Sequence, residues 1–231
     1  MSIVTLIILS LTFPLNERLN YGGFYGPFRV GSSYMEIKGV EHFNDLPIYI
    51  IESAQKTEGI FSLFFYINDY YCSYVDTGSF STVRFVKKIH EGNYKNEVEL
   101  DFDHDSVFYS NGKRTRRIPE SKDIFATLYY MRILNFNSGD TLKIPFHSSG
   151  KNHEMVVGVS GPYRIHVPAG SYETLLLSPD VPGGKIFGSS EPIKIWVSTD
   201  SLHIPVKIES HLKFGTVSYL LESIELKGEG K

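Results

Sequence analysis

A single cysteine in 231 residues removes any internal disulfide and any structural zinc site built from cysteines. Cys72 stands in Tyr70-Tyr71-Cys72-Ser73-Tyr74 with nothing beside it to activate a thiolate, so it reads as a small buried hydrophobe and not as a nucleophile. An excess of either charge is also missing. Lys and Arg number 23 against 26 Asp and Glu, for a net charge of -3, which leaves no field to gather phosphate backbones and argues against nucleic acid as a partner. Neither a phosphate loop nor a Gly-x-Ser-x-Gly elbow occurs, so the commonest nucleotide and hydrolase signatures lend no support to an enzyme. The eight histidines never fall at i, i+2 or i, i+4, the spacings that put two imidazoles on one face of a strand or helix. No repeat, coiled coil, low-complexity tract or linker divides the chain.

What is abundant is aromatic: 15 Tyr and 16 Phe, rings that suit a pleated, half-buried surface. Segments rich in β-branched and aromatic residues alternate with Gly, Pro, Asn and Asp clusters, the pattern of hairpins and meanders, and about a dozen strands fit it. The spacing predicts strands over Phe28–Ile37, Ile48–Thr57, Phe61–Asn68, Val83–Ile89, Tyr94–Phe102, Thr141–Phe146 and Tyr163–Val167. Further strands are predicted over Ser171–Leu177, Ile193–Ser198, Pro205–Leu212 and Thr216–Leu226. Asn111-Gly112, between Val107-Phe108-Tyr109 and a basic strand, predicts a type I′ hairpin. Other turns are expected at residues 148–152, Pro168-Ala169-Gly170 and Phe214-Gly215, and Pro179–Pro192 reads as a long loop.

One stretch breaks the β pattern. Ile124, Leu128 and Met131 fall at i, i+4 and i+7, with Phe125 and Tyr129 widening the stripe, and Ser121 is the predicted N-cap. The fold class expected is therefore all-β and mainly antiparallel: a strongly curved sheet, half-barrel or barrel, with one amphipathic helix packed on it. The N-terminal run from Ile3 to Phe13 is of signal-peptide length and too short to span a bilayer as a helix. Residues 1–20 read as a leader for export and 21–231 as a single β domain, although no basic residue precedes the run and no small-x-small site follows it before Arg18. No lipobox cysteine is present, so a lipid anchor is not expected.

Chemistry-bearing motifs are thin. Asp101-Phe102-Asp103-His104-Asp105 resembles the opening of a calcium loop, but Ser106 stands where Gly is needed and Gly112 where a bidentate Glu is needed. No metal or cofactor is expected. Lys113-Arg114-Thr115-Arg116-Arg117 is the one basic run; it reads as a solvated edge, with an anionic headgroup contact as the functional alternative. The nearest approach to a constellation is Trp196-Val197-Ser198-Thr199-Asp200. On a strand Trp196, Ser198 and Asp200 share one face and Ile195 and Val197 the other, and Asp200 could accept bonds from Arg132 on the helix, near Tyr129. Trp196, Ser198, Asp200, Arg132 and Tyr129 are the candidate ligand-binding residues; the ordinary alternative is aromatic packing plus an ion pair.

The same residues carry a likeness. Gly26-Pro27-Phe28-Arg29-Val30-Gly31-Ser32, Tyr129-Tyr130-Met131-Arg132, Gly139-Asp140, the segment from Pro168 to Thr174 and that from Ile195 to Asp200 occur in an order that resembles the bacterial domain of unknown function 3108 family. The tail from Pro205 to Leu221 is similar too. The resemblance implies an exported protein of bacterial envelopes on a curved antiparallel sheet, with no activity or catalytic residue to carry over. The architecture also resembles the lipoprotein-carrier proteins of the periplasm, by analogy of fold alone. The function expected is non-enzymatic binding or scaffolding of a lipid or other apolar or amphiphilic ligand, in the periplasm or envelope, with peripheral membrane contact open. The alternatives are a hydrolase-type enzyme with a site near Asp200 and Arg132, and a structural subunit of an envelope assembly.

Overall fold

The computed structural model describes residues 14–181, 193–212 and 215–226. Fourteen strands form one antiparallel sheet: β1 Glu17–Tyr25, β2 Phe28–Phe43, β3 Leu46–Thr57, β4 Asn68–Asp76, β5 Thr82–Glu91, β6 Tyr94–Phe102, β7 Ser106–Tyr109 and β8 Arg114–Arg116, then β9 Thr141–Ser148, β10 Lys151–Val167, β11 Gly170–Asp180, β12 Lys194–Ser198, β13 Pro205–Leu212 and β14 Gly215–Leu226. Each strand pairs with its neighbour in the chain except β8 with β9. β14 pairs with β1, which puts the first and last strands in the middle of the sheet, and β8 and β9 are left as its two edges. The helix α1, Ile124–Ile133, joins those edges.

The sheet curves into a half-barrel and is not closed. Its edges nevertheless meet at a seam. Lys122 forms a parallel bridge with Phe146 of β9, the Lys122 amide donating to the Pro145 carbonyl at 3.0 Å and the His147 amide to the Lys122 carbonyl at 2.9 Å. Asn152 Nδ2 of β10 donates to the Arg116 carbonyl of β8 at 2.7 Å. An arc of so many strands encloses more space than its own side chains fill, and α1 occupies it. Inward residues of both halves, Leu19, Ile51 and Val75 with Ile144, Met155 and Val197, join Phe125, Leu128 and Met131 of α1 in one core. The rings of Tyr71 and Phe125 lie 5.0 Å apart.

Several expectations change here. The helix is not amphipathic: Phe125, Ala126, Thr127, Leu128, Tyr129, Met131 and Arg132 are all buried, as befits a helix surrounded on most sides. Its N-cap is Asp123 and not Ser121; Asp123 Oδ1 accepts from the amides of Phe125 and Ala126 at 2.8 and 3.1 Å. Asp123 also accepts from Ser73 Oγ and Thr82 Oγ1, both at 2.7 Å, so four donors meet a carboxyl whose burial pushes its pKa up. Glu17–Asn20, counted above with the leader, belong to β1; residues 1–13 lie outside the described residues. The segment Phe61–Asn68 is not a strand: Gly59–Leu63 is a 3-10 turn and β4 begins at Asn68. At Asn111-Gly112 only Gly112 has positive φ, and Tyr109 bonds both Gly112 and Lys113, so the hairpin is a three-residue loop with a bulge instead of a type I′ turn. Ser149-Gly150 and Asn44-Asp45, with two positive φ angles each, have the I′ pattern. Pro179 and Asp180 belong to β11, and the rest of the expected Pro179–Pro192 loop, apart from Val181, lies outside the described residues.

Cys72 is buried on the outer face with Ile48 and Ile50, under Phe43, Tyr70 and Tyr74. Burial pushes its thiol up to about 11, the setting of an inert residue.

Candidate functional site

Of the five residues singled out in the sequence, Arg132 and Tyr129 lie inside the half-barrel, Trp196 on its outer face, Ser198 at the end of β12 and Asp200 in the turn that follows it. Arg132 does clamp the helix to the sheet, but not through Asp200. Its Nη1 and Nη2 donate to the two carboxylate oxygens of Glu17 on β1 at 2.7 and 3.0 Å, and both side chains are 1% exposed. Its Nε donates to the Leu202 carbonyl at 3.1 Å, and its guanidinium carbon lies 5.1 Å from the centre of the Tyr129 ring. The Arg132 carbonyl accepts from His203 Nδ1 at 3.0 Å, and His203 stacks on Phe136. Beside the pair, Tyr21 Oη donates to the Pro205 carbonyl at 2.8 Å, and burial pushes the Tyr21 and Tyr129 phenols well above the ordinary tyrosine value.

Asp200 is a turn residue. Its Oδ1 accepts from Ser198 Oγ at 3.0 Å and from the Leu202 amide at 2.9 Å, while Ser198 Oγ accepts from the Ile204 amide at 2.8 Å. Trp196 faces away from Ile195 and Val197 and lies under the Lys207 ammonium, 4.7 Å from the ring centre. The five residues are thus divided among the interior, the outer face and the end of β12 with its turn, and they do not converge on a nucleophile. Glu17, which completes the clamp, carries no motif and stood beside an apolar run that read as leader.

Three side chains of the basic run have partners within the chain. Arg117 donates to the carbonyls of Asp103 and Thr82 at 2.9 and 3.1 Å, Arg114 to Ser106 Oγ, and Lys113 lies over the Tyr109 ring. At the seam His147 Nδ1 bonds Asn152 Oδ1 and Nε2 bonds Tyr109 Oη, each at 2.8 Å. Because Asn152 gives its NH2 to Arg116, its oxygen must accept, so Nδ1 carries the proton and Tyr109 donates to Nε2. Among the described residues no group of three or more His, Cys, Asp or Glu is placed to hold a metal ion.

One surface feature stands apart. The turn between β3 and β4 presents Ile60, Leu63, Phe64 and Phe65 to solvent, at 65%, 80%, 73% and 59% exposure. Tyr25, Phe28, Tyr66 and Tyr94 are exposed on the same turn or on the hairpins beside it. Strand direction places the turns at residues 26–27, 58–67 and 92–93 at one end of the sheet. Single exposed apolar residues are ordinary; a cluster of this size is not. The cluster is anchored at its base. The Thr57 amide donates to the Ile67 carbonyl at 3.0 Å, the Gly92 amide to the Tyr66 carbonyl at 2.7 Å, and Arg29 bridges Glu58 and Glu222 at 2.7 and 3.0 Å.

A family model described as "Protein of unknown function (DUF3108)" matches residues 18–222. The chain belongs to the DUF3108 family. A search of the curated proteins finds no match. Among solved structures, the fold of this DUF3108 protein is similar to a β-barrel-like protein of the domain of unknown function DUF1849 from Brucella abortus, with TM-score 0.59 and 8% identity over 93% of this chain and 99% of that one. A candidate lipoprotein from Parabacteroides distasonis matches with TM-score 0.39 and 12% identity over 94% and 99% of the two chains. A candidate exported protein with a YmcC-like fold from Bacteroides fragilis gives 0.40 and 11% over 92% and 98%. The first supports the curved β architecture and nothing more; the other two are too distant in shape to carry an argument. Among the described residues no helix is long and apolar enough to cross a membrane.

Proposed function

We propose that this DUF3108 protein is an exported, non-enzymatic binding protein of the periplasm or cell envelope that engages an apolar or amphiphilic partner with the exposed tip at residues 60–67. The observation that carries this reading is the exposure of Ile60, Leu63, Phe64 and Phe65 together on a turn whose base is tied down by backbone bonds and ion pairs. Shelter of a ligand inside the half-barrel is the weaker form of the idea, because α1 and the Glu17–Arg132 pair occupy the concave side. Export rests on the apolar run from Ile3 to Phe13.

The same tip favours a second reading, a structural subunit whose apolar patch meets a neighbouring protein. Association with dodecyl maltoside micelles, followed by sedimentation, separates the two. Wild-type protein should co-sediment with micelles and the Leu63→Asp/Phe64→Asp variant should not. Equal behaviour of the two proteins would remove the tip as an amphiphile-binding element.

A further inference from the structure

Building on that reading of the tip, we propose that its partner is the surface of a phospholipid bilayer, into which the turn at residues 60–67 inserts. The chemistry of the turn fits hydrocarbon more closely than it fits a protein surface. From Ile60 to Ile67 there is no charged residue, and the large side chains that point outward before Tyr66 are aliphatic or phenyl. The one hydroxyl among Ile60–Phe65, Ser62 Oγ, donates back to the Gly59 carbonyl at 2.7 Å. The amides of Phe64 and Phe65 both donate to the Phe61 carbonyl, at 3.1 and 2.9 Å. A segment that enters lipid must satisfy its polar groups internally, because no water is there to do so. Protein interfaces, by contrast, place a hydrogen bond in about every 100–200 Å² of contact, and the outward side chains of Ile60, Leu63, Phe64 and Phe65 offer none.

The surroundings have the order of an interface. Behind the apolar tip come phenols, Tyr25, Tyr66 and Tyr94, whose rings are amphipathic and suit the headgroup layer. Tyr66 is braced by His90, the ring centres 4.6 Å apart. Level with the phenols are exposed basic groups, Lys56 and Lys95, on stems long enough to keep the ammonium at the phosphates. Glu58, two residues before Ile60, is held by Ser32, Arg29 and Lys56, and these contacts keep its carboxyl below the usual range. A second copy of the chain is a poorer occupant. Side chains this exposed stand out from the surface, a shape suited to entering a fluid layer more than to packing flat against an identical tip. With a net charge of -3 the attraction is apolar and not electrostatic.

The test is flotation of the full chain with vesicles of phosphatidylcholine alone and of phosphatidylethanolamine with phosphatidylglycerol. Wild type should float with both, and should still do so in about 0.5 M NaCl, where surface charge is screened. Leu63→Asp/Phe64→Asp should partition at least about tenfold less, each side chain having lost several buried CH2 equivalents, while keeping the wild-type melting temperature. Leu226→Asp, at the opposite end of the sheet, should float like wild type. No flotation of the wild type, flotation unchanged in the tip variant, or flotation abolished by salt each overturns the proposal. Micelle binding without vesicle binding would sink the bilayer assignment and leave the broader reading standing; loss of both would sink both.

Discussion

Removing one half of the Glu17–Arg132 pair strands a charge inside the half-barrel. In Arg132→Leu the Glu17 carboxylate loses both of its guanidinium bonds and the Leu202 carbonyl loses a donor, in a buried setting. Breaking a buried pair from one side costs about 3–5 kcal/mol. For a domain of this size about 2–4 °C of melting temperature follows each kcal/mol, so a fall of about 6–20 °C is expected. Replacing both partners, Glu17→Leu with Arg132→Leu, removes the stranded charge. The double variant should therefore be more stable than the sum of the two single losses predicts, by a coupling of about 2 kcal/mol or more. Urea and thermal denaturation of the four proteins measures every corner of this cycle. A loss below about 1 kcal/mol in Arg132→Leu, or strict additivity in the double variant, would refute the clamp.

Burial in the seam holds His147 below its ordinary value, with His153, Arg117 and Lys113 pushing the same way and Asn152 opposing. The unfolded chain therefore takes up this proton first as pH falls, and stability should drop on acidification below about pH 6.5. His147→Gln should flatten that part of the difference between melting curves at pH 5 and pH 7.5, and an unchanged slope would count against it. Lys122, whose ammonium donates to the Glu120 carbonyl and lies over the Tyr130 ring, is pulled by burial down to about 8. Wild type should gain stability relative to Lys122→Met as pH rises from about 8 toward about 10. Parallel denaturation curves across that range would contradict this. Asp123→Ala should cost about 2–4 kcal/mol, since it removes a helix cap and leaves the Ser73 and Thr82 hydroxyls short of acceptors; a loss under about 1 kcal/mol would show the cap to be incidental.

The antiparallel architecture was legible because period-2 patterns and turn residues recur from Phe28 onward, and the helix was placed within one residue of its end. What was illegible depended on contacts between distant parts of the chain. The stretch from Phe61 to Asn68 has the composition of a strand, yet the pairing of Lys56 with Asn68 starts β4 later and leaves the apolar residues on a turn. β4 itself hid because both of its faces are filled: Tyr71 and Val75 face the core while Tyr70, Cys72 and Tyr74 cover the outer cluster. The helix showed an apolar stripe but gave no sign that its other faces would also be covered, which only curvature of the sheet decides. Arg132 was expected to bond Asp200, whereas β1, pairing with both β2 and β14, delivers Glu17 to it from the N-terminal part of the chain.

The claim that the tip is the working surface is tested most directly by placing the only tryptophan there, in Phe64→Trp with Trp196→Phe, and recording its emission with and without dodecyl maltoside micelles. The free protein should give a water-like spectrum and the micelle-bound protein a clear blue shift. An emission maximum that does not move when micelles are added would contradict it.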